Sequence, residues 1–219
     1  AVGSRITIND PGESVTNDNS GSTTLGIAHL PFSTKGSTFL EGLNPVENSY
    51  LTLTDLRFPY CVSINSLYIN EQSSGNTYNS ADVTVTIAHE LGHYLGLHHV
   101  FSEDDNGTYN GCIDSDYCKD TPTYNKEYYD QWSNTQLALG VRDLSTLALR
   151  ENCMTNQTFT SHNIMDYAFS YSDQFSNDQH DRIRHVLTYS PLIPGPKKGQ
   201  TQTRTAAEGP LDLPILIRR

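Results

Sequence analysis

The stretch "HELGHYLGLHH", residues 89–99, places four histidines and one glutamate in eleven positions. On a helix, His89 and His93 differ by about 40° around the axis and about 6 Å along it, so both imidazoles can face one point. Glu90 stands beside them. If the helix ran on, residue 98 would point roughly opposite to His89, and residue 99 would lie about 15 Å along the axis. Neither imidazole could then join the first two. Gly96 is where the chain can turn back, because glycine adopts left-handed backbone angles at no steric cost.

With that turn the pattern HExxHxxGxxH is complete in His89, Glu90, His93, Gly96 and His99. Three imidazoles around one point, with a carboxylate alongside that is not a ligand, suit a zinc ion that keeps a fourth position open for water. The expected ligands are His89, His93 and His99. His98, one residue before a ligand, is expected to diverge from the metal and meet solvent or a neighbouring loop.

The surrounding pattern supports a helix at Val83–Leu95, where Val83, Ile87, Leu91, Tyr94 and Leu95 recur at helical spacing and Gly96 offers a stop. Upstream, short strand candidates lie at Arg5–Ile8, Leu25–Leu30, Leu51–Leu53 and Cys61–Ile69, separated by Gly, Pro and Asn turns. Downstream, Phe101–Asn125 reads as irregular, followed by a short helix near Leu137–Leu149. A last helix is expected from Ser176, where "SNDQ" forms a capping box, to just before Pro191. Residues 196–219 read as a tail with an apolar end, expected to pack on the body.

The 219-residue chain carries a net charge of −11 and no Lys/Arg cluster beyond short pairs such as Lys197-Lys198. That argues against a nucleic-acid partner. No apolar run reaches the roughly 20 residues that a membrane-crossing helix needs. Four cysteines (Cys61, Cys112, Cys118 and Cys153) without a CxxC spacing suggest two disulfides and an oxidising compartment, and three pairings are open. Asp114, Asp116 and Asp120, with Thr121, crowd hard oxygen donors into one loop, which suits Ca²⁺ as well as it suits a solvated acidic turn.

The zinc pattern resembles that of the metzincin peptidases, which also have a methionine-bearing turn beneath the metal. One of only two methionines lies in "SHNIMDYAF", so Met165 is identified with that Met-turn, and Tyr167 with the tyrosine of several branches. "HELGHYLGLHHVF", "GCIDSDYCKDTPTYN" and "NIMDY" together resemble the pappalysin-type peptidases, including cytophagalysin-like secreted and bacterial surface forms. The resemblance covers residues 83–195, and more loosely "LGIAHLPFST".

The resemblance implies an α+β, two-lobed catalytic domain over residues 1–195. The upper lobe, to about residue 96, would hold a twisted sheet and the active-site helix. The lower lobe, about 97–195, would be irregular, with the Met-turn and C-terminal helix. It implies a zinc-dependent endopeptidase acting on extended protein or peptide substrates, outside the cell or at its surface. Glu90 would be the general base towards a zinc-bound water, and Tyr167 would donate to the tetrahedral intermediate. It further implies Cys112–Cys153 and Cys61–Cys118 disulfides, a calcium ion in the Asp114–Thr121 loop, and substrate running antiparallel to an edge strand within Ser63–Ile69.

Two departures stand out. Where relatives that cut before Arg or Lys carry an acidic residue, this chain has Ser170, with Asp173 only nearby, so a neutral pocket is expected. Residues 1–80 show no periodicity for the family's long backing helix, which suggests a truncated or processed form, or a differently built lobe. The rival readings are a zinc-bearing binding or adhesion module without turnover, a site using Glu151 in place of the third histidine, and a cytosolic hydrolase of small amides.

Overall fold

The computed structural model describes residues 2–3, 24–47, 60–74, 77–103 and 111–193. The strand candidates at Arg5–Ile8 and Leu51–Leu53 and the tail 196–219 lie outside the described residues. Among the described residues, seven short strands and four α-helices give an α+β arrangement: β1 (Val2–Gly3), β2 (Gly26–Ala28), β3 (Phe32–Thr34), β4 (Asn44–Val46), β5 (Val62–Asn65), α1 (Val83–Tyr94), α2 (Lys126–Ala138), α3 (Leu144–Leu147), β6 (Leu149–Glu151), β7 (Thr158–Thr160) and α4 (Asn177–Tyr189).

The main sheet has the order β1-β5-β2. β5 pairs parallel with β1 (Val2 opposite Ile64) and antiparallel with β2 (Ile27 opposite Ser63). This corrects the expectation that the Ser63–Ile69 stretch forms an edge. Both sides of β5 are hydrogen-bonded to neighbours, and a single 3₁₀ turn at Ser66–Tyr68 ends it. Among the described residues, the sheet edge beside α1 is β2, since α1 packs against both β2 and β5.

Helix α1 begins where Asp82 accepts from the amides of Thr84 and Val85. It ends at Tyr94, and the chain turns at Gly96, whose φ of +92° lies in the left-handed region. A side chain at Gly96 would also meet Val186 of α4, with Cβ only 2.7 Å from Cγ2, so both backbone angle and packing require glycine there. α4 starts with the expected capping box, Ser176 and Gln179 each bonding the other's backbone amide.

Two departures concern the middle of the chain. α2 runs over Lys126–Ala138, capped by Asn125, in a stretch read as irregular up to Asn125 and helical only near Leu137. Its sequence KEYYDQWSNTQLA is polar on most faces, and it buries only Lys126, Tyr129 and Ser133. The second expected segment divides into the single turn α3 and strand β6.

The hydrophobic core falls in two clusters. Leu97, Val100, Phe101, Tyr124, Tyr129 and Met165 form one, beneath the end of α1. Leu43, Val186 and Ile193 form the other, where α4 meets the loop before β4. Beneath the first cluster the Arg150–Asp166 ion pair (3.3 Å) is wholly buried. The Tyr124 and Ser161 hydroxyls donate to Asp166, and Arg150 lies 3.6 Å from the Tyr129 ring centroid. Every charge there has several partners, which is the condition for a buried pair to be tolerated. No helix among the described residues is long and apolar enough to cross a membrane.

Cys112 and Cys153 are disulfide-bonded. The second expected bridge is absent: Cys61 and Cys118 are free thiols. Cys61 stands just before β5, beside Ser63, whereas Cys118 is buried in the loop against α4. The two thiols therefore belong to different parts of the fold.

Candidate active site

His89 and His93 project from α1, and the turn at Gly96 returns the chain so that His99 meets them. The three Nε2 atoms lie 3.2, 3.2 and 3.0 Å from one another. They form the one group of three metal-ligating side chains among the described residues. A tetrahedral zinc with N–Zn bonds of about 2.0–2.1 Å requires nitrogens about 3.3 Å apart.

The outer nitrogens decide how these contacts are read. His89 Nδ1 donates to the Ile164 carbonyl (2.7 Å), His93 Nδ1 to the Leu97 carbonyl (2.8 Å), and His99 Nδ1 to the Glu103 carboxylate (2.7 Å). Burial pushes all three imidazoles below their ordinary pKa, His93 and His99 furthest, and repulsion among the rings adds to it for those two. Neutral rings with protons on Nδ1 leave three bare Nε2 lone pairs facing one another. Such an arrangement repels unless a cation sits among them, so the donor set fits a divalent, nitrogen-preferring metal.

The turn itself is pinned from α4. Arg182 donates to the Gly96 carbonyl through Nε (3.2 Å) and Nη2 (3.1 Å), and to the Glu41 carbonyl (3.0 Å). His98 faces away from the cluster: its Nε2 donates to the Gly42 carbonyl (2.9 Å), and its ring meets Tyr117 edge-on.

Glu90 is buried, and burial alone pushes its carboxyl up to about 7. A cation nearby would favour the carboxylate again. β2 runs past it so closely that a Cβ on Gly26 would come within 2.6 Å of Glu90 Cγ.

Below the cluster, fully buried Met165 packs in the core, and its carbonyl accepts from the Val100 amide (3.4 Å). The turn is held by Asn163, which accepts from the Met165 amide and exchanges two hydrogen bonds with Gln179 of α4. The half-exposed Tyr167 ring lies 4.6 Å from His99 and 5.9 Å from His89, centroid to centroid. Lys126, unremarked in the sequence, sits 5.3 Å from the Tyr167 centroid while paired with Asp130. Gly26 is silent in the sequence because its neighbour Glu90 is 64 residues away, and Glu103 because only the bends after Gly96 turn it onto His99, four residues before it.

The remaining candidates lie elsewhere. Ser170 is wholly buried, its hydroxyl 2.9 Å from that of Ser161 and donating to the Asn163 carbonyl, so it lines no open pocket. Asp173 is engaged with His162. Glu151 is exposed on β6, and the third position is taken by His99. In the proposed calcium loop, Asp116 accepts from the Cys118 amide and the Thr121 hydroxyl, and burial raises its pKa to about 7, with Asp114 adding to the rise. Asp120 instead accepts from the Asp178 amide at the start of α4. Among the described residues these carboxylates do not gather around one point.

The family model described as pregnancy-associated plasma protein-A, the M43 peptidases, matches residues 60–188. An extracellular metalloprotease of Arthroderma otae is 35% identical over 99 residues, 45% of this chain and 29% of that protein. One from Arthroderma benhamiae is 34% identical over the same length and shares. The match thus spans less than a third of those relatives' length. Among solved structures, Tannerella forsythia mature mirolysin in complex with a cleaved peptide gives a TM-score of 0.41 at 18% identity, covering 76% of this chain and 48% of that one. With the family model spanning α1, Met165 and most of α4, this chain belongs to the M43 family of peptidases, the pappalysins.

Proposed function

We propose that the chain is a zinc-dependent endopeptidase that hydrolyses extended protein or peptide substrates. The observation that carries this reading is the convergence of three Nε2 lone pairs beside a buried, non-ligating glutamate. When bound there, zinc supplies Lewis acidity, which makes water a nucleophile near neutral pH and polarises a carbonyl. His89, His93 and His99 would hold it.

Glu90 takes the proton of the attacking water and passes it to the leaving amine. Tyr167 donates to the oxygen that becomes negative when the carbonyl is attacked. The substrate backbone lies along the edge of β2 that no described strand pairs with, next to Glu90, rather than along β5. A division at residues 96/97 into upper and lower lobes suits this reading, with substrate between β2 and the Met-turn. The side-chain pocket is taken as neutral, since Ser170 and Asp173 are both engaged. Secretion is proposed from the Cys112–Cys153 disulfide together with the relatives' description as extracellular.

The test is cleavage of a peptide library from denatured protein. Glu90→Ala should retain zinc and lose cleavage by at least 100-fold. o-Phenanthroline should abolish cleavage and added zinc restore it. A wild-type protein that binds zinc stoichiometrically but cleaves nothing would favour the second reading, an idle zinc-binding adhesion module of the same fold.

Calcium at Asp114, Asp116, Asp120 and Thr121 is a separate proposal, supported by the hard oxygen donors in this loop. Because these groups are now bonded to the protein itself, binding has to re-aim them. A rise in Tm with millimolar calcium, lost in Asp114→Asn, tests it.

A further inference from the structure

The three metal-facing histidines are oriented by different chemistry. His89 and His93 donate to main-chain carbonyls, but His99 donates to a carboxylate, Glu103 Oε1, at 2.7 Å. We propose that Glu103 is a positioning residue for the third metal ligand: it holds His99 with its proton on Nδ1, aims Nε2 at the ion, and makes that nitrogen a stronger donor. The inference rests on the zinc reading of the site.

A solvated i,i+4 ion pair is the ordinary explanation for such a contact, and it fits poorly. The two side chains are only 14% and 17% exposed. His99 Nδ1 lies 2.7 Å from the carboxylate while its Nε2 faces two further imidazoles, so the contact is an N–H to carboxylate hydrogen bond that aims the ring rather than a surface ion pair. Nor is the segment helical: α1 ends at Tyr94, and the chain bends at Val100 and Phe101, between the two residues.

Neighbouring groups leave Glu103 with a defined task. His99 is already stacked on Phe101 (centroids 4.7 Å apart, planes at 14°) and meets Tyr167 edge-on. These contacts fix the plane of the ring but do not choose between its tautomers. A neutral imidazole with the proton on Nε2 has no lone pair for the metal. A carboxylate at Nδ1 removes that choice and increases the ring's electron donation.

Glu103 is itself held in place. Its amide donates to the Ser115 hydroxyl (3.1 Å), which donates to the Phe101 carbonyl (3.3 Å). Ser102 accepts from the Ile113 amide (2.8 Å). Ile113 follows Cys112, which is tied to Cys153, and the Cys153 amide donates to the Thr123 carbonyl (2.9 Å). The short segment from His99 to Glu103 is therefore laced to a covalently anchored loop.

The experiment is zinc affinity measured against a competing chelator, for wild type, Glu103→Ala and Glu103→Gln, with the Tm of each metal-stripped protein. Glu103→Ala should bind zinc about 10–100-fold more weakly. Glu103→Gln, whose amide oxygen still accepts from Nδ1, should recover part of the loss. Substitution with cobalt(II) should give altered visible bands in Glu103→Ala and near-native bands in Glu103→Gln.

A wild type that takes up no stoichiometric zinc defeats the zinc reading itself. A wild type that binds zinc while both variants bind it equally tightly overturns the role of Glu103 alone. So does a loss of affinity that follows the metal-free Tm and is not relieved by glutamine. If Glu103→Ala does not fold, Glu103→Gln decides: weaker binding at unchanged Tm supports the role, and wild-type affinity overturns it.

Discussion

The thioether of Met165 occupies the space that a side chain on Gly92 would need: a Cβ there would overlap the sulfur and lie 3.3 Å from the terminal methyl. The missing side chain lets the turn that carries Met165 close directly against α1. In an exposed helix, Gly→Ala stabilises by about 1 kcal/mol. Here the added carbon overpacks a fully buried neighbour, which typically costs about 1–3 kcal/mol. Gly92→Ala should therefore be net destabilising by about 1 kcal/mol, lowering Tm by about 2–4 °C. Met165→Leu, which conserves volume, should cost less than about 1.5 kcal/mol. Thermal unfolding of the two variants checks this, and a Gly92→Ala protein more stable than wild type would refute the tight fit.

The cap of α1 links this helix to acid stability. Burial pushes the Asp82 carboxyl up, but hydrogen bonds from Ser73, Val85 and Thr84 outweigh it and hold the pKa below its ordinary value. The sign follows: a carboxyl depressed in the folded state stabilises the fold above its unfolded pKa of about 3.9. That contribution is lost as pH falls through the folded value. Urea unfolding of Asp82→Ala should show a loss of about 1 kcal/mol at pH 7. The difference from wild type should shrink below pH 4. A difference that is constant from pH 7 to pH 3 would place the effect in packing instead.

Reading the chain alone recovers what depends on local spacing. The pair His89 and His93, the Gly96 turn that makes His99 reachable, and the Ser176 capping box are each contained in fewer than a dozen residues. α2 was missed because KEYYDQWSNTQLA has no apolar stripe; it is held by Asn125 at its cap and by Tyr129 and Lys126 packing inward. The position of β5 was misread because strand order depends on partners far along the chain, such as Val2 and Ile27. Gly26 gains meaning only from Glu90, which the fold brings against it, and Glu103 only from the non-helical bends that turn it onto nearby His99.

The cysteines show the same limit and give a direct test. Cys118 is buried, and burial first, with Asp116 adding to it, pushes its thiol up to about 12. Cys61 is only partly buried. A thiol reagent should therefore label one cysteine readily in the native protein and two in denaturant, rising to four after reduction. Mass mapping should identify Cys61 as the fast site. No reactive thiol in denaturant would mean that Cys61 and Cys118 are bridged after all.

The last prediction separates the two adjacent histidines. His98 Nε2 donates to the Gly42 carbonyl, so the nitrogen that would have to bind a metal carries a proton and points into the loop before β4. His99 Nε2 is bare and faces His89 and His93. His98→Ala should keep a full equivalent of zinc. It removes one part-buried hydrogen bond and the contact with Tyr117, at a cost of about 1–2 kcal/mol. His99→Ala should lose zinc outright, because two imidazoles and water hold it far more weakly than three. Metal content by atomic emission, measured after dialysis against a weak chelator, distinguishes them. Equal zinc loss in both variants would mean that the Gly96 turn delivers the wrong neighbour, and the assignment of the third ligand would fail with it.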